Sequence, residues 1–294
     1  MTDTLAGLKH KRNGARDLQS VVRAMKALAA ASIGQYERSV SGLAEYARTV
    51  ELGLSVCLRE SRPVWIKRSA STGRIGAIVF GSDQGLVGQF NEVLADYALQ
   101  TLAALPGTPQ LWAVGERMQT RLQTQGPLVR GLFPVPSSVR GITPLVGQIL
   151  MDTSAAREDS DLDEVYLFYN RPRKGVVYTQ VSQRLLPLDE TWRQQLAHSP
   201  WPTHQLPEVI GGGPPTLRLL IREFLFVSLF RACAESLASE NASRLVAMQR
   251  AETKIDELLE DLDGRFHQLR QSTIDEELFD VVSGFEALTN HRRG

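Results

Sequence analysis

The chain has no proline in its first 62 residues and none in its last 79; all fourteen lie between Pro63 and Pro215. Proline inside a helix costs about 3 kcal/mol, because it removes a backbone donor and clashes with the preceding turn. Both ends are therefore expected to be long helices bracketing a compact centre. If they pair, the result is a rod carrying a lateral globule. Cysteine is scarce too. Cys57 and Cys233 lie far apart in helical stretches, with no metal-ligand or redox spacing, so a reduced, cytosolic setting is expected. Net charge is absent, with 33 basic against 33 acidic side chains, so no global field argues for nucleic acid. The densest apolar run, Phe224–Phe230, falls far short of the ~20 residues that span a bilayer, which leaves only indirect membrane association. The opening MTDTLAGLKHKR has no apolar signal core and no transit-peptide character.

Catalytic patterns are missing as well. The five histidines (His10, His198, His204, His267, His291) are scattered, without H-E-x-x-H or G-x-S-x-G, and no cofactor or metal is expected. Asp159, Asp161, Asp163 and Glu164 cluster at an expected helix–strand loop and read as solvated. The sequon at Asn241–Ser243 falls in an expected helix and carries little meaning.

What is present is a hydrophobic fraction of 43%, enough for a core, and a charge split between the ends. Residues 1–62 carry a net of +4, residues 216–294 a net of −4, and the centre balances. Opposite charge favours pairing of the ends, although exposed ion pairs contribute modestly. In the first segment Leu18, Val22, Met25, Ala29, Ser32, Tyr36, Ser39, Leu43, Tyr46 and Val50 alternate steps of 4 and 3. That is a heptad seam, and its small members permit close approach. In the last segment Ile255, Leu259, Leu262, Phe266 and Leu269 step alike, and Leu278, Val281, Phe285 and Leu288 resume the pattern. At 1.5 Å per residue the two helices could reach roughly 80 and 110 Å, and neither is stable alone. Between Arg270 and Glu277 the seam lapses into RQSTIDEE. This stretch reads either as a contact surface presented to an outside partner or as a solvated stutter. The basic set Lys9, Lys11, Arg12, Arg16, Arg23 and Lys26 reads either as solvated surface or as contact with acidic partner loops. It lacks the aromatic interleaving that single-stranded nucleic acid requires.

The centre reads as an α/β domain. Strands are expected at 74–80, 111–114, 129–133, 165–170 and 176–186, the last two joined by an RPRKG turn. Helices are expected at 90–105, 116–125 and 143–157, which implies a mostly parallel sheet with helices on both faces. Residues 187–215 read as a proline-rich linker. The loop at 81–91, GSDQGLVGQFN, follows a strand and precedes a helix, yet it is neither G-x-G-x-x-G nor a P-loop. Asp83 would put negative charge where a phosphate should sit, so a tight turn with Asp83 or Asn91 capping the next helix is expected.

Three blocks carry a family likeness over almost the whole chain. They are VVRAMKALAAASI (21–33), GSDQGLVGQFN (81–91), and SLASENASRLVAMQRA (236–251) continued by RQSTIDEELFDVVSGFEAL (270–288). Together, in this order, they resemble the gamma subunit of F-type ATP synthases, the central rotor shaft. The resemblance implies a fold of α/β class: a long antiparallel coiled coil of N- and C-terminal helices plus a central Rossmann-like α/β domain. Its parts would be helix 1–62, globular foot 63–214 and helix 215–294. It implies a non-catalytic subunit, one copy per complex, inside a hexamer of alpha and beta subunits. The foot would meet the epsilon subunit and the membrane ring of c subunits. Localisation would be peripheral, on the cytoplasmic side of a bacterial plasma membrane. Position by position, Arg270, Gln271 and Glu277 match residues that contact a beta loop. Arg244 matches a position tied to coupling, and Met25 and Lys26 match the meeting point with beta's acidic lever. The chain departs from the family at Gln89–Phe90, where a second glycine is usual, and over 200–215, which suggests a divergent bacterial branch. Two rival classes are a nucleotide-binding enzyme with a coiled-coil arm and a cytosolic coiled-coil adaptor.

Overall fold

A computed structural model describes residues 4–60, 73–126, 129–160, 162–188, 190–198, 201–203, 205, 207–209 and 213–291. Helix α1 runs Leu5–Glu60, and the last helix, α6, runs Gly213–His291. Pro214 and Pro215 sit in the first turn of α6, where their missing N–H groups would lack helical partners anyway. Between these helices lie β1 (Arg74–Phe80), α2 (Phe90–Ala103), β2 (Thr108–Val114), α3 (Glu116–Gln125), β3 (Val129–Phe133), α4 (Ile142–Ser160), β4 (Glu164–Arg173) and β5 (Val176–Leu186). A short helix, α5 (Glu190–Ala197), occupies part of the stretch expected to be linker. Its Trp192 and Leu196 pack against Leu54 and Leu217, and that apolar anchoring makes it an element rather than a tether.

The sheet order is β3-β2-β1-β4-β5, parallel through β4, with β5 antiparallel to β4. The alternation of a strand sorts its side chains between two cores. Ile75, Ala77 and Val79 join Leu94, Ala98, Met118 and Leu122 of α2 and α3 on one face. Ile78 and Phe80 join Trp112, α4 residues Ile142, Val146 and Ile149, and α6 residues Leu229, Ala232 and Leu237 on the other. The doubly wound order and two covered faces are the Rossmann-like arrangement expected from alternating strands and helices.

The chain divides into two compact units. One comprises Met1–Leu28 with Val246–Gly294, the other Ala29–Leu245. In the first, α1 and α6 run antiparallel: Arg12 Nη1 donates to Asp263 Oδ1 at 3.1 Å, and Arg23 Nε to Glu252 Oε1 at 2.8 Å. Gln19 Nε2 donates to Asp256 between these rungs. Leu8, Ala15 and Leu262 are buried, with Leu259, Phe266 and Leu269 against them. In the second unit the sheet core takes in Tyr36 of α1, and Tyr46 Oη donates to Glu223 at 2.7 Å.

Eight of the ten seam positions expected on α1 are covered (Val22, Met25, Ala29, Ser32, Tyr36, Ser39, Leu43 and Val50), and two are not. Leu18 is 60% exposed, and Tyr46 is also exposed. A further row is covered as well, formed by Leu8, Arg12, Ala15, Gln19, Val22 and Lys26 in the first unit. In the second its members are Ala29, Ile33, Tyr36, Val40, Leu43, Ala47, Val50, Leu54 and Cys57. Steps still alternate 4 and 3, but every second position in the first unit is polar. Arg12, Gln19 and Lys26 can lie at a seam because each meets an acid of α6, where an unmatched polar group would cost free energy. On α6, Met248, Glu252, Ile255, Leu259, Leu262, Phe266, Leu269 and Thr273 are covered, so its first heptad run holds. The second does not: Leu278 and Val281 are exposed, and Phe285 and Leu288 lie outside the described side chains. Extending the register of the α1–α6 pairs sets Leu5, the first helical residue of α1, level with Arg270. Among the described residues, α6 beyond that point has no α1 residue opposite it.

Both cysteines are buried thiols. Among the described residues no helix is long and apolar enough to cross a membrane.

Candidate functional site

The loop at 81–91 is built as a joint. Gly81 is required there, because a Cβ would stand 2.3 Å from Met118 Cβ and 2.7 Å from Asn91 Oδ1. Gly115 has φ +106, and a Cβ on it would press on the Ser82 backbone at 2.6 Å. Asn91 does not cap α2. Its Oδ1 accepts from Ser82 N at 3.0 Å, and its Nδ2 donates to Ser82 Oγ at 2.8 Å. Asp83 does not cap α2 either. Its Oδ1 accepts from Glu116 N at 3.0 Å, at the start of α3, and its Oδ2 from Val135 N at 2.9 Å. The helix it serves is thus the next but one, since the loop folds across the sheet's C-terminal edge. Its carboxylate occupies two backbone donors that an incoming phosphate would need. A cavity of about 380 Å³ in this unit lies elsewhere, lined by Arg171, Arg184, Arg231, Trp192 and Phe224 among others.

Helix α6 grips the same edge through a row of serines. Ser236 Oγ donates to Phe80 O at 3.2 Å, Ser239 Oγ to Asn170 O at 3.0 Å, and Ser243 Oγ to Val87 O at 2.6 Å. The spacing of three and four residues puts all three hydroxyls on one helix face. Small side chains let the helix come close, and each hydroxyl satisfies a carbonyl of a strand or of the loop. This is what the block at 236–243 does, and spacing alone did not reveal it. The loop in turn exposes Leu86, at φ +62 and 61% accessible. A leucine in the left-handed region is strained, and here it is held by the bonds on either side.

Arg244 follows the serine row. Its Nη2 donates to Glu240 Oε1 at 2.6 Å and its Nη1 to Asn241 Oδ1 at 3.3 Å, while its Nε is buried with no hydrogen-bond partner. Glu240 is buried, and burial raises its pKa above the ordinary carboxylate range, with Arg244 opposing and Asp83 adding to the rise. Burial also raises Tyr36 and Cys233, and Glu240 contributes to both. Arg244 is thus committed to its own chain. Close by, Glu235 is buried between Arg171 Nε at 2.7 Å and Arg231 Nε at 2.8 Å, which ties α6 to β4. Of the acidic cluster, Glu164 accepts from Tyr166 Oη at 2.6 Å, and burial with this bond pushes the phenol up to about 12.

In the other unit, Met25 and Lys26 are half-buried. Lys26 Nζ donates to Glu252 Oε2 at 2.6 Å, on the carboxylate that also takes Arg23. Hydrogen bonds from Lys26 and then Arg23 hold the Glu252 carboxyl below its usual range. Arg270, Gln271 and Glu277 are exposed on α6. They lie well along the helix from Glu252, so the two groups do not form one constellation. Ile274, Leu278, Phe279, Val281 and Val282 are exposed beside them, Phe279 at 72%. On α1, Leu18, Val21 and Leu28 are exposed as well. Spacing read Leu18 as core; its neighbour Gln19 holds the seam instead.

A protein-family model described as ATP synthase matches residues 4–288. The ATP synthase gamma chain of Nitrosomonas europaea is 27% identical over 96% of this chain and 98% of its own length. That of Salinibacter ruber is 26% identical over 97% and 98%. Among solved structures, a chain of the Euglena gracilis mitochondrial ATP synthase (OSCP/F1/c-ring, rotational state 3) superposes with a TM-score of 0.64 at 15% identity. It covers 99% of this chain and 96% of its own. A chain of the Tetrahymena thermophila mitochondrial ATP synthase (central stalk/c-ring) gives 0.58 at 20% identity over 79% and 99%.

Proposed function

The chain belongs to the ATP synthase family, with gamma chains as its curated relatives, and on that premise we propose how it works. It is a rotor subunit of the central stalk of an F-type ATP synthase, and it makes and breaks no bond of ATP. One copy stands within a hexamer of alpha and beta subunits. The part spanning 63–214 meets the epsilon subunit and the ring of c subunits, and the helices 1–62 and 215–294 meet the hexamer. The complex lies at a bacterial plasma membrane, with this chain peripheral on the cytoplasmic side. Ion flow turns the ring and the chain with it. Each beta subunit is then driven through its states by differential contact with a turning, asymmetric surface.

One observation carries this. Beyond Arg270, α6 exposes polar catch residues beside a run of large apolar side chains that no described residue covers. An exposed apolar face of that extent is built to be covered from outside. Arg270 and Gln271 can form strong hydrogen bonds that break and re-form at each step, where permanent burial would lock a rotor. Met25 and Lys26 with Arg23 form the second contact, toward an acidic segment of beta. Arg244 acts through its own chain, by holding α6 against the sheet edge.

The test is Arg270→Ala with Gln271→Ala in the assembled complex. Coupled ATP synthesis is expected to fall at least about threefold, the worth of one or two such bonds, while helix content stays unchanged. Synthesis at the parent rate in a fully assembled complex would remove the catch assignment.

A further inference from the structure

The pair of cations proposed to meet an acidic partner already holds a carboxylate. Glu252 projects from α6 between Arg23 and Lys26, and each of its oxygens accepts from one of them. Its side chain is 17% exposed, whereas those of Arg23 and Lys26 are 57% and 35% exposed. The acid thus lies beneath and the cations lie above. Arg23 uses only Nε on Glu252. Its terminal nitrogens have no hydrogen-bond partner among the described residues and remain available to a second carboxylate. Lys26 likewise has two ammonium hydrogens to spare.

We propose that Glu252 is an internal stand-in for the partner's carboxylate. It keeps Arg23 and Lys26 extended and oriented between visits, and it leaves the face with one net positive charge instead of two. An arriving acidic segment shares the cations with Glu252 and does not have to organise them. When it leaves, Glu252 is already bonded to both, so no bare cations are left behind. Glu252 is a positioning residue that sets how firmly the partner is held. This rests on the reading of Lys26 as a contact to an acidic segment of beta.

Two neighbouring rungs supply a contrast. At one, Gln19 donates to Asp256; at the other, Arg12 donates to Asp263 and Arg16 reaches the same carboxylate only at 4.0 Å. At Glu252 both α1 cations hydrogen-bond the α6 acid, at 2.8 and 2.6 Å.

The test uses the full chain reassociating with the alpha–beta hexamer of its own synthase at low salt. Glu252→Gln is expected to slow dissociation about three- to tenfold, the effect of one added positive charge several ångströms from a partner carboxylate. The gain should shrink as salt screens it. The decisive comparison removes the risk that Glu252→Gln merely loosens the helix pair. Arg23→Gln with Lys26→Gln leaves Glu252 alone on the face, and it should bind more weakly than wild type. Adding Glu252→Gln to that double variant should recover part of the loss. If the triple variant binds no better than the double, Glu252 does not compete with the partner and the proposal is overturned. If the double variant binds as well as wild type, the contact at Lys26 is itself wrong, which is a separate failure.

Discussion

At the residue scale, two side chains hold unusual states for different reasons. Leu86 sits at φ +62 with its side chain in solvent, so its conformation costs about 1 kcal/mol and returns no core packing within the chain. Leu86→Gly is therefore expected to raise folding stability by up to about 1 kcal/mol in urea titrations. A loss of stability would mean that the leucine packs against its own chain. Glu240 is the second case, with a pKa raised by burial. Between the ordinary carboxylate value and the raised one, the folded chain keeps a proton that the unfolded chain has lost. Stability therefore falls as pH rises through that window. Glu240→Gln mimics the protonated form and still accepts from Arg244. Its stability relative to wild type should improve from about pH 5 to about pH 8, and an equal difference at both would refute the raised value. Glu252 has the opposite sign. Its pairing is fully present above the ordinary carboxylate range and is lost as pH falls through its lowered value.

At the scale of elements, the seam of α1 decides how the helix pair is held. Leu8 is buried, so Leu8→Ala should cost about 2–4 kcal/mol and speed hydrogen exchange of the α1 amides in that unit. Leu18→Ala should change exchange by less than about 0.5 kcal/mol, since its side chain faces solvent. Equal effects would return the seam to Leu18. The strands were legible because each is a short apolar run between turn residues, and the sheet follows from their alternation with helices. The apolar members of the coiled-coil seam were mostly legible too, with Leu18 and Tyr46 the exceptions on α1, but its polar members were not. Gln19 and Lys26 look like surface residues until their acids on α6 are known, and those lie more than two hundred positions away. The serine row was visible as letters, yet its purpose lay in carbonyls on distant strands. Helix α5 was hidden by the prolines around it, and its apolar anchors come from α1 and α6. Of the candidate site, the lapse at Arg270–Glu277 was legible because a seam that stops is a local pattern. The commitment of Arg244 to Glu240 was not, because a basic residue on a helix gives no sign of burial.

At the scale of the whole molecule, charge and exposed apolar surface act together. The chain has no net charge at pH 7 and a pI near 7.0, so little repulsion keeps copies apart there. It also exposes Leu278, Phe279 and Val281 on one helix. Purified alone, it is expected to self-associate most strongly near pH 7 and less near pH 9, as read by light scattering. Addition of the catalytic subunits should suppress the effect by covering those side chains. Scattering that is flat with pH, or that Phe279→Lys leaves untouched, would count against this surface as its cause.

The two thiols have a practical consequence. Cys57 and Cys233 are each about 1% exposed, and burial pushes the Cys233 thiol further from its reactive thiolate. A maleimide dye should therefore find almost nothing to react with on the native chain. One cysteine introduced in place of the exposed Leu86 would become a single addressable point for fluorescence without either native thiol being removed. The turning of this chain could then be followed by optics on an otherwise unaltered sequence.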